Sequence, residues 1–539
     1  MSGFHAAQVI LLVLLFSVVA FAALARRLRT PYPIILVIGG LLAAFVPGMP
    51  RVMLNPDIIF FVVLPPLLYS AAWNTSWKDF CHNLASISLL AVGLVAFTVL
   101  GVALAGPLLL PGFDWRLGFV LGAVVATTDS IAATSIAKRV GLPKSIVDIL
   151  EGESLVNDAT GLLALEFGTA ILVNGLTPSV AGGVIRLVYL SAAGIGVGLL
   201  FGRIVEWFEF RIDDGPIEIA ISIFVPYAAY LSAELIHASG VLAVVAAGLY
   251  LGGRSSRFFS PSVRLQANAV WSAMTFILNG FVFLTIGLQL PFVLEESHGL
   301  RTGQLVLYAA LFSAFLILLR LFWTFPGAAV AYLIRSRLLH QNVQWPGARR
   351  IFVVGWTGMR GVIALAAAVS LPRTLADGSP FPNRGLIIFL TFSVILVTLV
   401  LQGLTLPPLI QALGLSGRGG LACEENEARR LVLEAALQRL EENRSQDRPE
   451  FAAVYDDLAQ HYRERLASVQ EAPSGPEGRP SEQYARHQEI SRDLLKVERE
   501  TALQLRNDGR ISDEVLREIE RELDLNTLRL VRPVDPETA

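Results

Sequence analysis

The chain has 539 residues, 54% of them hydrophobic and 16% charged, with a net charge of -2 and a mean hydropathy of +0.57. A soluble chain carries about a quarter charged residues, so this deficit, spread over many long apolar runs, puts most of the chain in a lipid bilayer. The near-neutral balance argues against a nucleic-acid partner. The two cysteines, Cys81 and Cys423, have no zinc spacing and read as free thiols.

A spanning helix needs about 20 mainly apolar residues. That criterion predicts thirteen spans, near 6–25, 33–49, 56–73, 84–110, 115–137, 144–174, 181–205, 216–237, 239–253, 267–291, 303–334, 348–371 and 384–411. The first is followed, not preceded, by its positive charges Arg26, Arg27 and Arg29. It therefore reads as a spanning helix with its N-terminus outside, and not as a cleaved signal. Merging the pair around His237-Ala238-Ser239-Gly240 would give twelve spans. Thirteen is favoured by the loops. Arg26, Arg27, Arg29, Lys78, Lys138, Arg139, Lys144, Arg203, Arg211, Arg254, Arg257, Arg264, Arg335, Arg337, Arg349 and Arg350 fall on one side, and the scattered Arg51, Arg116, Arg186, Arg301, Arg373 and Arg384 on the other. This is the positive-inside pattern. It puts a membrane domain at 1–415 and leaves 416–539 in the cytoplasm. That tail is polar, without a span. Leu433, Leu437 and Leu440, then Ile490, Leu494 and Val497, then Leu516, Ile519 and Leu523 repeat at helical spacing, and Pro473 to Pro480 reads as a linker. Its mixed charges are most simply a solvated face, with a regulatory or dimer-stabilising role as the alternative.

Ionisable groups within spans mark functional sites by default, because an unpaired charge there costs several kcal/mol, at least ~2.5. The sixth span contains EGESLVND, Glu151 to Asp158. At 3.6 residues per turn Glu153 and Asn157 share one face, and Ser154 and Asp158 the adjacent one. Glu151 lies nearer the cytoplasmic entrance. This wall of carboxylate and hydroxyl oxygens suits a hard monovalent cation, and without sulfur or clustered imidazole it does not suit a transition metal. Thr127-Thr128-Asp129-Ser130 interrupts the fifth span, and Gly355, Gly358 and Gly361 bracket Thr357 and Arg360 in the twelfth. Both read as broken helices, the sequence signature of a transporter's mid-membrane site. Arg360 is expected to offset buried negative charge, with Glu153 or Asp129 as its partner. Arg320, alone in the eleventh span, has no evident partner. Glu166, Glu218, Glu234 and His237 read as helix-end groups.

The segments ATTDS, EGESLVNDATG, SGVLAVVAAGL and GMRGVIALAAAVSLP closely resemble the bacterial sodium/proton exchangers of the cation:proton antiporter-1 family, the NhaP-like and NHE-like group. The resemblance covers the membrane region and extends to the tail. It implies an all-α polytopic fold of about thirteen transmembrane helices in two inverted repeats with two crossed discontinuous helices. It also implies a homodimer and elevator-like movement. By position, Asp158 binds cation and proton in turn. Glu153, Ser154 and Thr128 complete the Na⁺ site, Asn157 and Asp129 support it, and Arg360 pairs with the glutamate. Ser130 departs from the proline or alanine common in the family and bears on helix breaking or ion preference. The implied activity is electroneutral exchange of Na⁺, Li⁺ or K⁺ for H⁺ across the inner membrane, serving pH and sodium homeostasis, with no cofactor beyond the transported ions. A passive cation channel is the alternative from the carboxylates alone. An enzyme is disfavoured, since the chain has no HExxH, GxSxG or clustered histidines.

Overall fold

The computed structural model describes residues 2–46, 54–174, 180–296, 301–415, 419–470 and 482–530. The chain forms two compact units, Met1–Lys138 with Ser145–Leu415, and Arg139–Lys144 with Ser416–Ala539. The described residues are helical, with one isolated β-bridge between Thr374 and Pro380.

In chain order the membrane region contains α1 (Ser2–Arg27), α2 (Tyr32–Ala43), α3 (Pro56–Asn74), α4 (Trp77–Leu109), α5 (Trp115–Ala126), α6 (Ser130–Val140) and α7 (Lys144–Asn174). It continues through α8 (Val180–Glu209), α9 (Gly215–Leu235), α10 (Gly240–Gly252), α11 (Pro261–Leu288), α12 (Thr302–Leu338), α13 (Gly347–Trp356), α14 (Val362–Val369) and α15 (Arg384–Ala412). Ten segments, counting α5 and α6 as one, are long and apolar enough to cross a membrane, and α2 and α10 are shorter apolar helices. The half-helices α13 and α14 occupy the remaining predicted span. Each of the thirteen predicted segments thus coincides with a helix or a pair of half-helices, and His237, with φ 53°, turns the chain between α9 and α10.

Local chemistry sets the boundaries. Ser76, Asp114, Asp214, Ser239 and Ser260 each accept a hydrogen bond from a first-turn backbone N–H, starting α4, α5, α9, α10 and α11. The π-turns Ile59–Val63, Leu89–Leu94 and Thr398–Gln402 interrupt α3, α4 and α15, and Ile334–Leu338 ends α12. Helix α5 is buried on every face from Val120 to Ala126, so its sequence shows no amphipathic stripe. Helix α8 instead exposes Val184, Ile185 and Val188, as a lipid-facing helix does. Helices α2 and α11 approach closely through Gly40 and Gly287. A Cβ on either would lie 2.3 Å from a backbone oxygen of the other helix.

In the second unit α16 (Gly419–Gln446) packs on α17 (Ala452–Gln470), and α18 (Glu482–Asn507) on α19 (Asp513–Leu530). Leu433, Leu516 and Leu523 are buried there as their spacing predicts, whereas Ile490, Leu494 and Val497 are exposed. Cys81 is an exposed free thiol. The Cys423 side chain, Arg51 and the Pro473–Pro480 linker lie outside the described residues.

Candidate ion-binding site

The two interruptions meet. Helix α5 stops at Ala126, where Thr127 turns extended (φ -65°, ψ 138°), and α14 starts after Gly361, also extended (φ -122°, ψ -167°). The Asp129 backbone N–H donates to the Met359 carbonyl at 2.8 Å. A Cβ on Gly361 would lie 2.4 Å from Asp129 Oδ2, so only glycine allows the chains to cross this closely.

Two broken helices leave four helix ends inside the protein, each with backbone groups that need partners. Side chains supply them with the sign that the helix dipole favours. Asp129 Oδ1 accepts from the Ile131 N–H at 2.8 Å, capping the start of α6, and its Oδ2 abuts Gly361 at the start of α14. Arg360 Nε donates to the Val125 carbonyl at 2.9 Å at the end of α5, and Nη1 donates to the Gly358 carbonyl at 2.5 Å. Arg320 does the same for α13, donating to the Gly355 and Val354 carbonyls, both at 3.2 Å. The hydroxyl of Thr398, on the π-turn of α15, accepts from the Arg360 N–H at 3.1 Å.

This corrects the expected partner of Arg360. The buried Arg320 holds Glu153 in a bidentate pair, Nη1 to Oε1 at 2.5 Å and Nη2 to Oε2 at 2.8 Å. Arg360 makes no ion pair among the described residues; its Nε and Nη1 donate to carbonyls at the crossing. Arg320 reaches Glu153 by passing over Gly358, where a Cβ would sit 2.1 Å from Arg320 Cδ. The signal for Arg320 was present in the sequence. A lone guanidinium in a long apolar helix must have a partner, but which carboxylate it meets is a matter of packing.

The eight-residue cluster divides along the faces of α7. Thr128 Oγ1 donates to Glu153 Oε1 at 2.9 Å, and Asn157 Nδ2 donates to the Thr128 hydroxyl and carbonyl. Both Glu153 oxygens are therefore engaged, and neither Glu153 nor Asn157 borders the adjoining cavity. Glu153, expected as a Na⁺ ligand, is here charge-balanced by Arg320 and stands apart from the cavity lining. Glu151 pairs with Lys138 at 3.3 Å at the start of the helix and is likewise away from the cavity.

The other face borders a cavity of about 70 Å³. Ser154 and Asp158 of α7 line it, with Thr127, Thr128, Asp129 and Ser130 from the first break, Gly361 from the second, and residues of α3 and α11. Ser154 Oγ accepts from the Ser130 N–H at 3.3 Å, so the hydroxyl hydrogen remains free to turn. Asp158 is 3% exposed. Its carboxylate has no hydrogen bond or ion pair among the described residues. No group of three or more His, Cys, Asp or Glu side chains suited to a bound metal occurs among them either.

Charge accounting completes the geometry. By formal charge Glu153, Asp158 and Asp129 stand at the crossing with Arg320 and Arg360; Glu153 is paired with Arg320, Asp129 caps α6, and Asp158 has no hydrogen bond or ion pair among the described residues. A helical membrane bundle with two broken helices crossed beside one unpaired carboxylate defines a secondary transporter. The chain belongs to the sodium/hydrogen exchanger family: the family described as "Sodium/hydrogen exchanger, transmembrane" matches residues 11–412. Similar proteins include an uncharacterized Na⁺/H⁺ exchanger of Mycobacterium bovis, 32% identical over 98% of this chain and 97% of the relative. The sodium, potassium, lithium and rubidium/H⁺ antiporter of Bacillus pumilus is 33% identical over 87% of this chain and 70% of the relative. The solved structure of the sodium proton antiporter MjNhaP1 from Methanocaldococcus jannaschii shares the fold, with a TM-score of 0.60 at 21% identity over 77% of this chain and 99% of that one.

Proposed function

We propose that this protein exchanges one monovalent cation for one proton at Asp158. The observation that carries the reading is the partnerless carboxylate, 3% exposed, on a polar cavity at the helix crossing. Burial disfavours a bare anion, and either a proton or a cation relieves it. One carboxylate cannot hold both at full strength, so binding of each weakens the other by the same factor. The single uncompensated charge also accounts for stoichiometry. One Na⁺ or one H⁺ makes the moving core neutral, so exchange is electroneutral, and the empty anionic core is the state least able to cross. Ser154 serves as an auxiliary ligand, Thr128 contributes from the broken helix, and Asp129, Asn157, Glu153 and Arg360 hold the frame.

The cation is Na⁺, with Li⁺ and K⁺ as further substrates. The relative from Bacillus pumilus, named for sodium, potassium, lithium and rubidium, supports this breadth. The setting is the inner membrane of a bacterium, with the N-terminus outside, the tail in the cytoplasm and a homodimeric assembly, serving pH and sodium homeostasis. Reconstituted protein in liposomes with voltage clamped by K⁺ and valinomycin tests the reading. A Na⁺ gradient should drive proton movement in the wild type and not in Asp158→Asn. Exchange at the wild-type rate in Asp158→Asn would overturn the site. Na⁺ flux without proton movement would make the protein a passive pathway.

A further inference from the structure

We propose that the cation site has a second wall, in which the side-chain amide of Asn279 supplies an oxygen to a partly hydrated monovalent cation held at Asp158. The inference rests on the reading of Asp158 above.

Helix α11 contributes Asn279 to the lining of the cavity. The other lining residues of α3 and α11, such as Val63, Leu64, Leu68, Val282 and Phe283, are hydrocarbon, so Asn279 is the polar group that this wall presents. Asn279 is 8% exposed, and its Oδ1 is buried without a hydrogen-bond partner. The whole amide makes no hydrogen bond among the described residues. A buried amide left unbonded is costly, and an asparagine within a membrane helix ordinarily serves to bond a neighbouring helix. Asn279 bonds none.

The cavity adds a second reason. Its volume of about 70 Å³ exceeds the roughly 10–15 Å³ that one water needs, so an ion at Asp158 keeps part of its hydration. Asp158 and Ser154 lie on one wall only. A ligand bridging the cavity needs an oxygen opposite, directly or through one water, and the Asn279 amide is neutral. It therefore strengthens cation binding without altering the single negative charge that fixes the exchange ratio. Asn279 is carried by a helix that packs chiefly on α1 and α2 and also touches the half-helix α14 of the crossing.

The test replaces Asn279 with leucine, which keeps the approximate size and removes both polar atoms. Two measurements are made on full-length protein: the Na⁺ dependence of exchange in liposomes, and the Na⁺ concentration giving half of the maximal thermal stabilisation in detergent. Asn279→Leu should raise both KM for Na⁺ and the half-stabilising concentration at least fivefold, with the maximal rate falling less than KM rises. Unchanged values for both would overturn the proposal. Loss of exchange with wild-type Na⁺ stabilisation would also overturn it, by placing Asn279 in the movement and not in binding. If the leucine variant does not fold, Asn279→Ala is read by the same criteria. Asp158→Asn in parallel should lose Na⁺ stabilisation altogether. If it keeps that stabilisation, the failure lies with the Asp158 reading and not with Asn279.

Discussion

Replacing Arg320 with methionine removes the guanidinium while keeping a long, flexible apolar side chain. The wild-type group makes two hydrogen bonds to Glu153, at 2.5 and 2.8 Å, and two to the α13 carbonyls, both at 3.2 Å. At a charge separation of roughly 3 Å and an effective dielectric constant of about 20, the attraction is about 5–6 kcal/mol. Desolvating the two ions costs about as much, so the intact pair is worth little against a well-packed apolar substitute, while removing one partner costs about 3–5 kcal/mol. Arg320→Met should therefore destabilise the protein by about 3–5 kcal/mol, with Glu153→Gln costing less because a neutral amide still accepts from Arg320 and Thr128. The double variant should recover part of the loss, giving a coupling energy of about 1–3 kcal/mol. Unfolding in mixed micelles followed by tryptophan fluorescence measures all four corners of the cycle. Additive losses, or stronger coupling of Glu153 with Arg360 than with Arg320, would refute the assignment.

Other outcomes follow from the same geometry. Gly358→Ala puts a Cβ 2.1 Å from Arg320 Cδ. It should cost about 1–3 kcal/mol, read as a lowered midpoint in the same unfolding assay, and Arg320→Met should suppress much of that loss. Asp129→Asn keeps an oxygen for the Ile131 N–H and should be more stable than Asp129→Ala by about 1 kcal/mol, a difference that thermal unfolding in detergent resolves. With one proton competing at Asp158, KM for Na⁺ should rise as pH falls, approaching about tenfold per pH unit on the acid side. A slope near a hundredfold in proteoliposomes would show two protons and break the charge accounting. Ser154→Ala should raise KM for Na⁺ without shifting the midpoint of that pH dependence, since the hydroxyl helps to hold the ion and does not carry the proton.

The spans were legible because a bilayer imposes length and apolarity on each helix separately, so α1 and α15 can be found without knowing their neighbours. The broken helices were legible for a related reason. Thr127 to Ser130, and the glycines around Arg360, are poor continuations of an apolar helix wherever they pack. Helical spacing likewise separated the Ser154–Asp158 face of α7 from the Glu153–Asn157 face. Arg360 and Arg320 mark where such reasoning stops. Both are single buried guanidiniums, Arg320 within an apolar helix and Arg360 in the break between two half-helices, and nearness to conspicuous motifs favoured Arg360 as the partner of Glu153. The partner is Arg320, 167 residues from Glu153 in the chain. Asn279 carries no sequence signal at all, since one asparagine in a long apolar helix reads as ordinary interhelical bonding until its lack of partners is seen.

What the sequence determined alone is therefore everything governed by period, length and the cost of charge in lipid: the helices, their interruptions, and the presence of a carboxylate site on α7. Tertiary structure decided which charges cancel. Asp129 and Arg360 are held by the ends of broken helices, Glu153 is held by Arg320, and Asp158 remains without a partner beside the cavity. The physical reason is that compensation is a property of separation in space. Groups far apart in the chain set it, and no local pattern records their distance.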